Sequence, residues 1–187
     1  MTRSREIIEI LADVIAKTSK GCKLVNALGK EVDCPAINYT FGNAQYVKDR
    51  LDELSKTPSG EAMKFPLIAL FCPFNEDRKS RQYYSRSKVR ILIACSSQQQ
   101  YSNEQRLELS FRNILTPIYR RFLEELKKDN RLDFGYDNQV KHEYSENYSY
   151  GRYGAHTGTG DAVSESIDAI NISNLELTVK PYNCRLK

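Results

Sequence analysis

Near the carboxyl end of the chain, Asp168, Glu176 and Lys180 form a combination that a metal-dependent nuclease could use. Strand alternation places Glu176 and Lys180 on one face of a strand, opposite an apolar set that includes Leu175 and Leu177. Two-metal hydrolysis needs paired carboxylates, which this segment lacks. The charged residues are therefore more simply interpreted as the polar outer face of a strand.

Other residue types that carry chemistry lack the spacing that the chemistry needs. The two histidines, His142 and His156, stand far apart in loop-like sequence, and the five cysteines form no CxxC pair. This pattern does not predict a zinc site. No GxSxG motif is present, and the glycine-containing residues 158–160 are too short for a phosphate-binding loop. We therefore expect no metal, no cofactor and no enzymatic activity.

Basic residues concentrate between two strongly apolar stretches, residues 65–74 and 88–97. Residues 73–90, which we call the basic hairpin, are predicted to project from the fold. They carry six basic side chains against the two acidic ones of Glu76 and Asp77. The basic side chains, together with two neighbouring tyrosines, are those of Arg78, Lys79, Arg81, Tyr83, Tyr84, Arg86, Lys88 and Arg90.

Three interpretations of the basic hairpin remain open. It could bind nucleic acid, because arginine and lysine contact phosphates and tyrosine stacks on bases. It could be a solvated loop whose charges discourage aggregation between sheet edges. It could also dock on an acidic surface of another protein. The sequence favours protein docking and the solvated loop over nucleic-acid binding.

A second segment, residues 136–163, is rich in tyrosine and glycine, and we call it the tyrosine–glycine segment. We predict a long arm or loop here, because no regular hydrophobic period is visible. Tyrosine offers a large amphipathic contact area, and glycine lets a backbone follow a partner's surface. Contact with a partner is favoured over disorder. The predicted contact residues are Tyr144, Tyr148, Tyr150, Arg152 and Tyr153.

The composition indicates one domain, because splitting 187 residues would leave two thin cores. A net charge of +4 is only mildly basic and hints at an acidic partner. Glu6, Glu9 and Asp13 argue against a signal peptide, and no apolar run approaches the roughly 20 residues that span a bilayer. Cys72 and Cys95 lie in apolar stretches, which is typical of reduced, buried thiols and of folding in the cytoplasm.

The amino-terminal third predicts one helix followed by short strands. Helical spacing of apolar residues predicts an amphipathic helix over residues 4–18, with Ser4 as its N-cap and Gly21 ending it. Residues 22–42 predict two short strands that turn at Gly29.

The central part of the chain predicts a second helix and two core strands. The helix is expected over residues 43–56, with Asn43 as its cap, and residues 57–60 are expected to break the chain. Residues 65–71 are almost entirely apolar, as in a strand covered on both faces. Residues 89–94 predict a more one-sided strand.

The longest predicted helix covers residues 103–128, with Ser102 or Asn103 as its cap. Pro117 lies inside it and is expected to kink its axis, because proline removes one backbone hydrogen bond. The predicted buried stripe consists of Leu107, Phe111, Ile114, Ile118, Phe122 and Leu126.

The last predicted strand covers residues 166–180 and changes parity along its length. Ile170 and Leu175 belong to apolar sets of opposite parity, so a regular strand could not bury both sets on one face. We therefore expect a bulge near Ser173 and Asn174. The order of elements predicts an α+β fold, with a mostly antiparallel sheet packed against helices and a long kinked helix after a central hairpin.

Five blocks of the chain resemble a family of small neck proteins from tailed phages and prophages of Bacteroidetes, including the crAss-like phages. The element order is also similar to that of phage tail-terminator and head–tail joining proteins. The resemblance covers roughly residues 5–180 but has no counterpart for the tyrosine–glycine segment. The blocks are NYTFGNAQYVKDRLDEL, KFPLIALFCPF, VRILIACSS, NEQRLELSFRNILTPIYRRFLEEL and SIDAINISNLEL.

The resemblance implies a structural virion protein that assembles as a closed ring between the portal and the tail. Such rings have six or twelve copies, and the implied partners are identical subunits, the portal and other neck or tail proteins. The ring would complete the head–tail connection and line the DNA channel, with possible passive contact to DNA and none to a membrane. The alternative function is a nucleic-acid-binding module that uses the basic hairpin and the tyrosine–glycine segment.

Overall fold

A computed structural model describes residues 4–153 and 165–181 of the chain. In these ranges the helices are α1 (Ile7–Gly21), α2 (Ala44–Leu54), α3 (Pro58–Met63), α4 (Asn103–Arg106), a π-helix (Leu107–Leu115) and α5 (Thr116–Lys128). The strands are β1 (Lys23–Val25), β2 (Glu31–Asp33), β3 (Asn38–Gly42), β4 (Leu67–Phe71), β5 (Glu76–Asp77), β6 (Ser85–Ser97), β7 (Glu143–Tyr153) and β8 (Glu165–Val179). None of the helices in the described ranges has both the length and the apolar content to cross a membrane.

Six strands form one sheet in the order β3–β4–β6–β8–β7, with β5 paired to β6 outside that order. All its neighbouring pairs are antiparallel except β3 and β4, which are parallel. This exception arises because the chain returns from β3 to β4 through α2 and α3, and parallel pairing needs such a crossover. The predicted α+β fold is confirmed, although the sheet is mixed rather than purely antiparallel.

Helices cover the two faces of the sheet unevenly. The first face lies under α1 and under the long helix that α4, the π-helix and α5 form together. The core on this face includes Ile68 and Ile91. The second face is covered only in part, where Val47 and Leu51 of α2 pack near Leu92. All positions of β4 before its last are buried, as predicted for a strand covered on both sides.

A bulge in β8 lets its two apolar sets share the first face. Val89 of β6 pairs with Leu175, whereas Ile91 pairs with Ile172, so β8 has one extra residue between these positions. Asn174 adopts a positive φ of 53° at this point. The bulge predicted near Ser173 and Asn174 is therefore confirmed. The residues that it directs into one core are Ile170, Ile172, Leu175, Leu177 and Val179.

The predicted helix over residues 103–128 is formed by α4, the π-helix and α5 in direct succession. Ser102 caps it, because its hydroxyl accepts the N–H of Gln105. Pro117 near the start of α5 has no N–H to donate, and the chain ahead of it widens into the π-helix. In that segment the N–H of Thr116 donates to the carbonyl of Phe111, one residue further back than in an α-helix.

Two local predictions are wrong. The N-cap of α1 is Glu6, not Ser4, and the Ser4 hydroxyl instead accepts the N–H of Glu6 ahead of the helix. Residues 57–60 were expected to break the chain, but they begin α3. The Thr57 hydroxyl accepts the N–H of Gly60, and Pro58 occupies the first turn, where a missing N–H costs nothing.

The hairpin of β1 and β2 and the helix α2 follow the prediction. β1 and β2 pair antiparallel, and Gly29 in their turn has a φ of 72°, which glycine adopts without strain. Asn43 caps α2 by accepting the N–H of Tyr46 at 2.8 Å. These signals depend on neighbours only a few residues apart, so the sequence alone was sufficient to identify them.

The predicted long loop in the tyrosine–glycine segment is wrong over residues 143–153, which form β7 and pair antiparallel with β8. Tyr144 pairs with Ile172 and Glu146 with Ile170, so the face that they share lies beside the first core. Aliphatic and polar residues do not alternate along this segment, so its sequence pattern did not predict a strand. Residues 154–163 of the predicted loop lie outside the described residues.

A buried ion pair fastens the start of the long helix to the sheet. The Arg106 guanidinium donates to Asp168 Oδ1 at 2.7 Å, and both side chains are almost inaccessible, at 4% and 0% exposure. Arg106 also donates to the hydroxyls of Ser97 and Ser166 and to the backbone carbonyl of Gln98. These hydrogen bonds offset the cost of burying both charges.

We predict that Arg106→Met lowers the free energy of unfolding by roughly 3–5 kcal/mol, because it leaves the Asp168 carboxylate buried without its cation. Chemical denaturation measures this loss. Arg112→Met is the matched control, because Arg112 pairs with Glu108 on the exposed helix surface and should cost no more than about 0.5 kcal/mol. Equal losses in the two variants would contradict a structural role for the buried pair.

The bulge yields a second prediction about stability. Asn174→Val is expected to destabilise the fold by about 1–2 kcal/mol, because a β-branched residue opposes a positive φ. Glycine adopts a positive φ without strain, so the stability of Asn174→Gly should stay closer to that of the wild type. This variant loses mainly the hydrogen bond from Asn174 to Glu143. Thermal unfolding of the two variants checks the order. A valine variant as stable as the glycine variant would argue against the bulge.

Candidate interaction surfaces

The basic hairpin is anchored to the start of α1 through Glu6. The Tyr84 hydroxyl donates to Glu6 Oε1 at 2.6 Å, and the Arg78 guanidinium contacts Glu6 Oε2 at 2.8 Å. Arg78 also pairs with Glu76 at 3.0 Å. The predicted contact residues Arg78 and Tyr84 therefore hold the hairpin in place from within the chain.

These contacts keep the carboxylates of this region charged. The pKa of Glu6 is lowered, first by the hydrogen bond from Tyr84 and further by Arg78. The pKa of Asp77 is also lowered, chiefly by the hydrogen bond from the Tyr83 hydroxyl. The hairpin therefore contains fixed negative charges that neutralise part of its basic character.

The tyrosine rings of the hairpin are already occupied on one face. The guanidinium of Arg78 lies 4.9 Å from the centre of the Tyr84 ring, and that of Arg86 lies 4.8 Å from the Tyr83 ring. Tyr84 also packs against the main core. This arrangement leaves less ring surface for stacking on bases than the sequence suggested.

Lys79 and Arg81 are the hairpin cations best placed to contact a partner. Both side chains are exposed. Neither makes an ion pair with another residue that the structure describes. Of the predicted contact residues in the hairpin, these two are the least committed to the fold.

A groove of about 870 Å³ lies on the second face of the sheet, between the hairpin and residues 133–141. Its floor includes the ion pair between Lys88 and Glu176, at 3.0 Å. The charges along its lining balance, because three cations face three carboxylates. They belong to Arg86, Lys88, Lys141, Asp77, Asp133 and Glu176. A groove with this balance does not select a strongly charged ligand of either sign.

Two tyrosines of β7, Tyr144 and Tyr148, pack on the long helix. The Tyr148 ring lies 4.4 Å from that of Phe111, and the Tyr144 ring lies 5.0 Å from that of Tyr119. The hydroxyls of Tyr144 and Tyr148 both donate to the carboxylate of Glu146. Desolvation and Glu146 raise the pKa of Tyr144 and of Tyr148, so both phenols stay neutral. Tyr144 remains 42% exposed and is the one available to a partner.

His142 has a structural position beside this cluster. Its Nδ1 lies 2.7 Å from the carbonyl of Val140, which can only accept a hydrogen bond, so Nδ1 carries the proton. Nε2 then accepts from the Tyr119 hydroxyl at 2.7 Å. The histidine thereby joins the first turn of α5 to the chain just ahead of β7.

The far end of the sheet carries residues 150–153, the last described residues of the tyrosine–glycine segment before the gap. Ser166 of β8 pairs with Ser97, the last residue of β6, and with Arg152 of β7. Tyr153 pairs with Glu165 one position further on. The backbone of the predicted contact residues Tyr150, Arg152 and Tyr153 therefore lies at this end, and their side chains lie outside what the structure describes.

The basic hairpin lies at the opposite end of the same sheet. β6 begins at Ser85, which pairs with Val179, directly beside the hairpin. A strand of 13 residues that rises about 3.3 Å per residue spans roughly 40 Å. Lys79 and Arg81 of the hairpin are therefore separated from the end of the sheet where β7 finishes by almost the full length of β6.

Sequence reasoning missed the acidic residues of the far end. Glu104 and Glu108 are exposed on the first turns of the long helix, which Arg106 ties to Ser97. Hydrogen bonds from its own backbone N–H and from the Ser102 hydroxyl lower the pKa of Glu104. A signal was present in the sequence, since acidic residues commonly follow an N-cap. What was missing was the position of that helix start relative to the hairpin.

The residues considered for metal-dependent chemistry are separated. Asp168 is buried against Arg106, whereas Glu176 lies on the surface in an ion pair with Lys88. In the described part of the chain, no three metal-binding side chains come together. His156, residues 158–160 and Cys184 lie outside the described residues.

The Glu6 anchor predicts that the pKa of Glu6 shifts measurably when Tyr84 is replaced. Because its folded pKa lies below the ordinary value, the anchor is complete above that ordinary value and is lost as the pH falls through the folded pKa. Tyr84→Phe removes the largest cause and should move the Glu6 pKa upward in a carboxyl NMR titration. Tyr83→Phe is the matched control and should move the pKa of Asp77 instead. A Glu6 titration unchanged by Tyr84→Phe would contradict the anchor.

No family model matches the sequence, and no curated protein matches it. Support for a function therefore comes from the positions, charges and contacts of the chain's own residues.

Proposed function

We propose that this protein is a structural, non-enzymatic component of a phage virion that forms a ring in the neck between portal and tail. The observation that supports this best is the separation of two unlike surfaces by roughly 40 Å along β6. One end carries the exposed side chains of Lys79 and Arg81 in the hairpin, and the other carries the exposed carboxylates of Glu104 and Glu108 and the last residues of β7.

Unlike surfaces at opposite ends suit head-to-tail contact between identical copies. In a heterologous interface one patch meets a different patch on the neighbour, and the contacts close into a ring when the rotation between copies divides a full turn. Lys79 and Arg81 of one copy would then face Glu104 and Glu108 of the next. Opposite charges at such a contact favour correct encounter and orientation more than they add affinity.

In this proposal the ring has six or twelve copies, joins the portal to other neck or tail proteins and lines the channel for DNA. The balanced charges of the groove on the second face accord with a surface that does not hold DNA tightly. DNA that passes through the ring would contact the protein only passively. The protein would fold in the host cytoplasm and become part of the virion.

Native mass spectrometry of the purified chain, with and without the portal protein of the same phage, tests this proposal. We expect one closed oligomer of six or twelve copies when the portal ring is present. A chain that stays monomeric in both conditions would contradict it. Turnover of DNA, nucleotide or peptide that disappears on substitution of one acidic residue would also contradict it.

Charge reversal in the hairpin yields the sharpest prediction. Lys79→Glu with Arg81→Glu should weaken assembly at least tenfold and leave the monomer folded, because neither side chain pairs within the described chain. Assembly is measured by sedimentation at several protein concentrations. Arg120→Glu with Lys127→Glu is the matched control, because it reverses two exposed cations on α5 that belong to neither proposed surface.

A compensating reversal identifies the partner surface. Glu104→Lys with Glu108→Lys should restore part of the assembly lost in the hairpin variant, because opposite charges then face each other again. No recovery, together with an intact fold, would show that the hairpin contacts another surface. Salt-sensitive DNA binding that the hairpin reversal abolishes would instead favour the nucleic-acid-binding alternative.

A further inference from the structure

We propose that Cys22 and Cys34 form an oxidisable thiol pair that closes to a disulfide across the β1–β2 hairpin. The two residues are twelve positions apart, so sequence spacing gave no indication of a pair. Strand pairing brings them together, because Lys23 faces Asp33 and the cysteines occupy the next facing positions. This proposal does not depend on the function proposed above.

The backbone geometry of the pair suits a disulfide. The N–H of Cys34 donates to the carbonyl of Cys22 at 3.1 Å, and continuing the register of β1 and β2 places the two residues at a hydrogen-bonded position. The Cα atoms in such a pair are about 5.5 Å apart. Disulfides form over Cα separations of about 4.4–6.8 Å. The bond can therefore close without a large movement of either strand.

The side chains extend from these adjacent backbone positions, and each thiol donates to a nearby carbonyl: Cys34 to Pro35 at 3.3 Å and Cys22 to Lys23 at 3.8 Å. Each cysteine is the main influence on the other, so that the pKa of Cys22 is lowered and that of Cys34 is raised. Both cysteines are buried and lie in the main core. Cys22 is therefore the sulfur that ionises first, with Cys34 beside it as its partner.

A cation also stands beside Cys22. The positive charge of Arg121 lowers the pKa of Cys22 further. The guanidinium lies directly against Gly21, where an added Cβ would collide with it. Glu124 and Glu125 hold Arg121 in this position through ion pairs at 3.2 Å and 2.8 Å. Nearby cations are a recognised cause of thiol reactivity.

Peroxide is the oxidant class that fits this arrangement. The Cys22 thiolate attacks one oxygen of hydrogen peroxide, the O–O bond breaks, and the departing hydroxide takes a proton to become water. The Cys34 sulfur then attacks the sulfenic sulfur of Cys22, and the S–O bond breaks. The hydroxyl leaves with the thiol proton as a second water. Two thiols and one peroxide thus give one disulfide and two waters.

An oxidant reaches the buried sulfurs when the hairpin of β1 and β2 opens. Every residue of β2 is exposed, and β1 and β2 form a two-stranded sheet separate from the main one. A two-stranded hairpin is only marginally stable by itself, so local opening admits a small oxidant. The disulfide would then close residues 22–34 into a loop and reduce this opening.

Peptide mapping of the full-length protein after peroxide treatment tests the pair. Trypsin cleaves after Lys20, Lys23, Lys30 and Lys48, so the disulfide should join the peptide of residues 21–23 to that of residues 31–48. Two of the five thiols should disappear, and a reductant should restore them. A linked peptide absent at a peroxide dose that oxidises the partly exposed Cys72 would overturn the proposal.

Two variants separate the pair from ordinary thiol oxidation. Cys34→Ser should stop the reaction at the sulfenic acid of Cys22, which dimedone traps, and no linked peptide should form. Cys72→Ser is the matched control and should leave the linked peptide unchanged. If Cys34→Ser loses the same two thiols as wild type without a dimedone adduct on Cys22, the proposed pairing is wrong.

Discussion

The fold depends on one backbone irregularity in β8, the longest strand of the described chain. β8 lies between β6 and β7 and carries apolar side chains of both parities. Without the extra residue at Ser173 and Asn174, either Ile172 or Leu175 would face away from the helices. Because both halves of β8 reach the same core, the strand stays in the sheet for 15 residues and gives the molecule its length.

That length links the fold to the proposed function. A shorter sheet would place the hairpin and the start of the long helix close together on one side. In this fold two local anchors hold the opposite ends: Glu6 with Tyr84 at the hairpin, and Arg106 with Asp168 at the helix start. Each anchor fixes the backbone from which exposed charges project. The separation of these charges is a property of the folded chain and does not require a partner.

Much of the fold follows from local sequence signals, whereas the surfaces depend on contacts between distant residues. The alternation of apolar residues along β8 was enough to predict the bulge. The Asn43 cap was predictable because it acts on a residue only three positions away. β7 was missed because tyrosine and glutamate, rather than aliphatic residues, occupy its inner face. The hairpin was predicted to project, but Tyr84 binds Glu6, a residue 78 positions earlier in the chain. No short-range pattern reveals a contact of that length.

The central claim is that the two ends of the molecule meet between copies, and zero-length carbodiimide cross-linking tests it most directly. The reagent joins a lysine amine to a carboxylate only when the two touch. Lys79 and Glu104 lie near opposite ends of β6, which spans roughly 40 Å, so a bond between them must join two copies. With mixed isotope-labelled copies in assembled particles, we predict mixed-label peptides that join Lys79 to Glu104 or Glu108. Assembled particles whose cross-links avoid these residues would contradict the account.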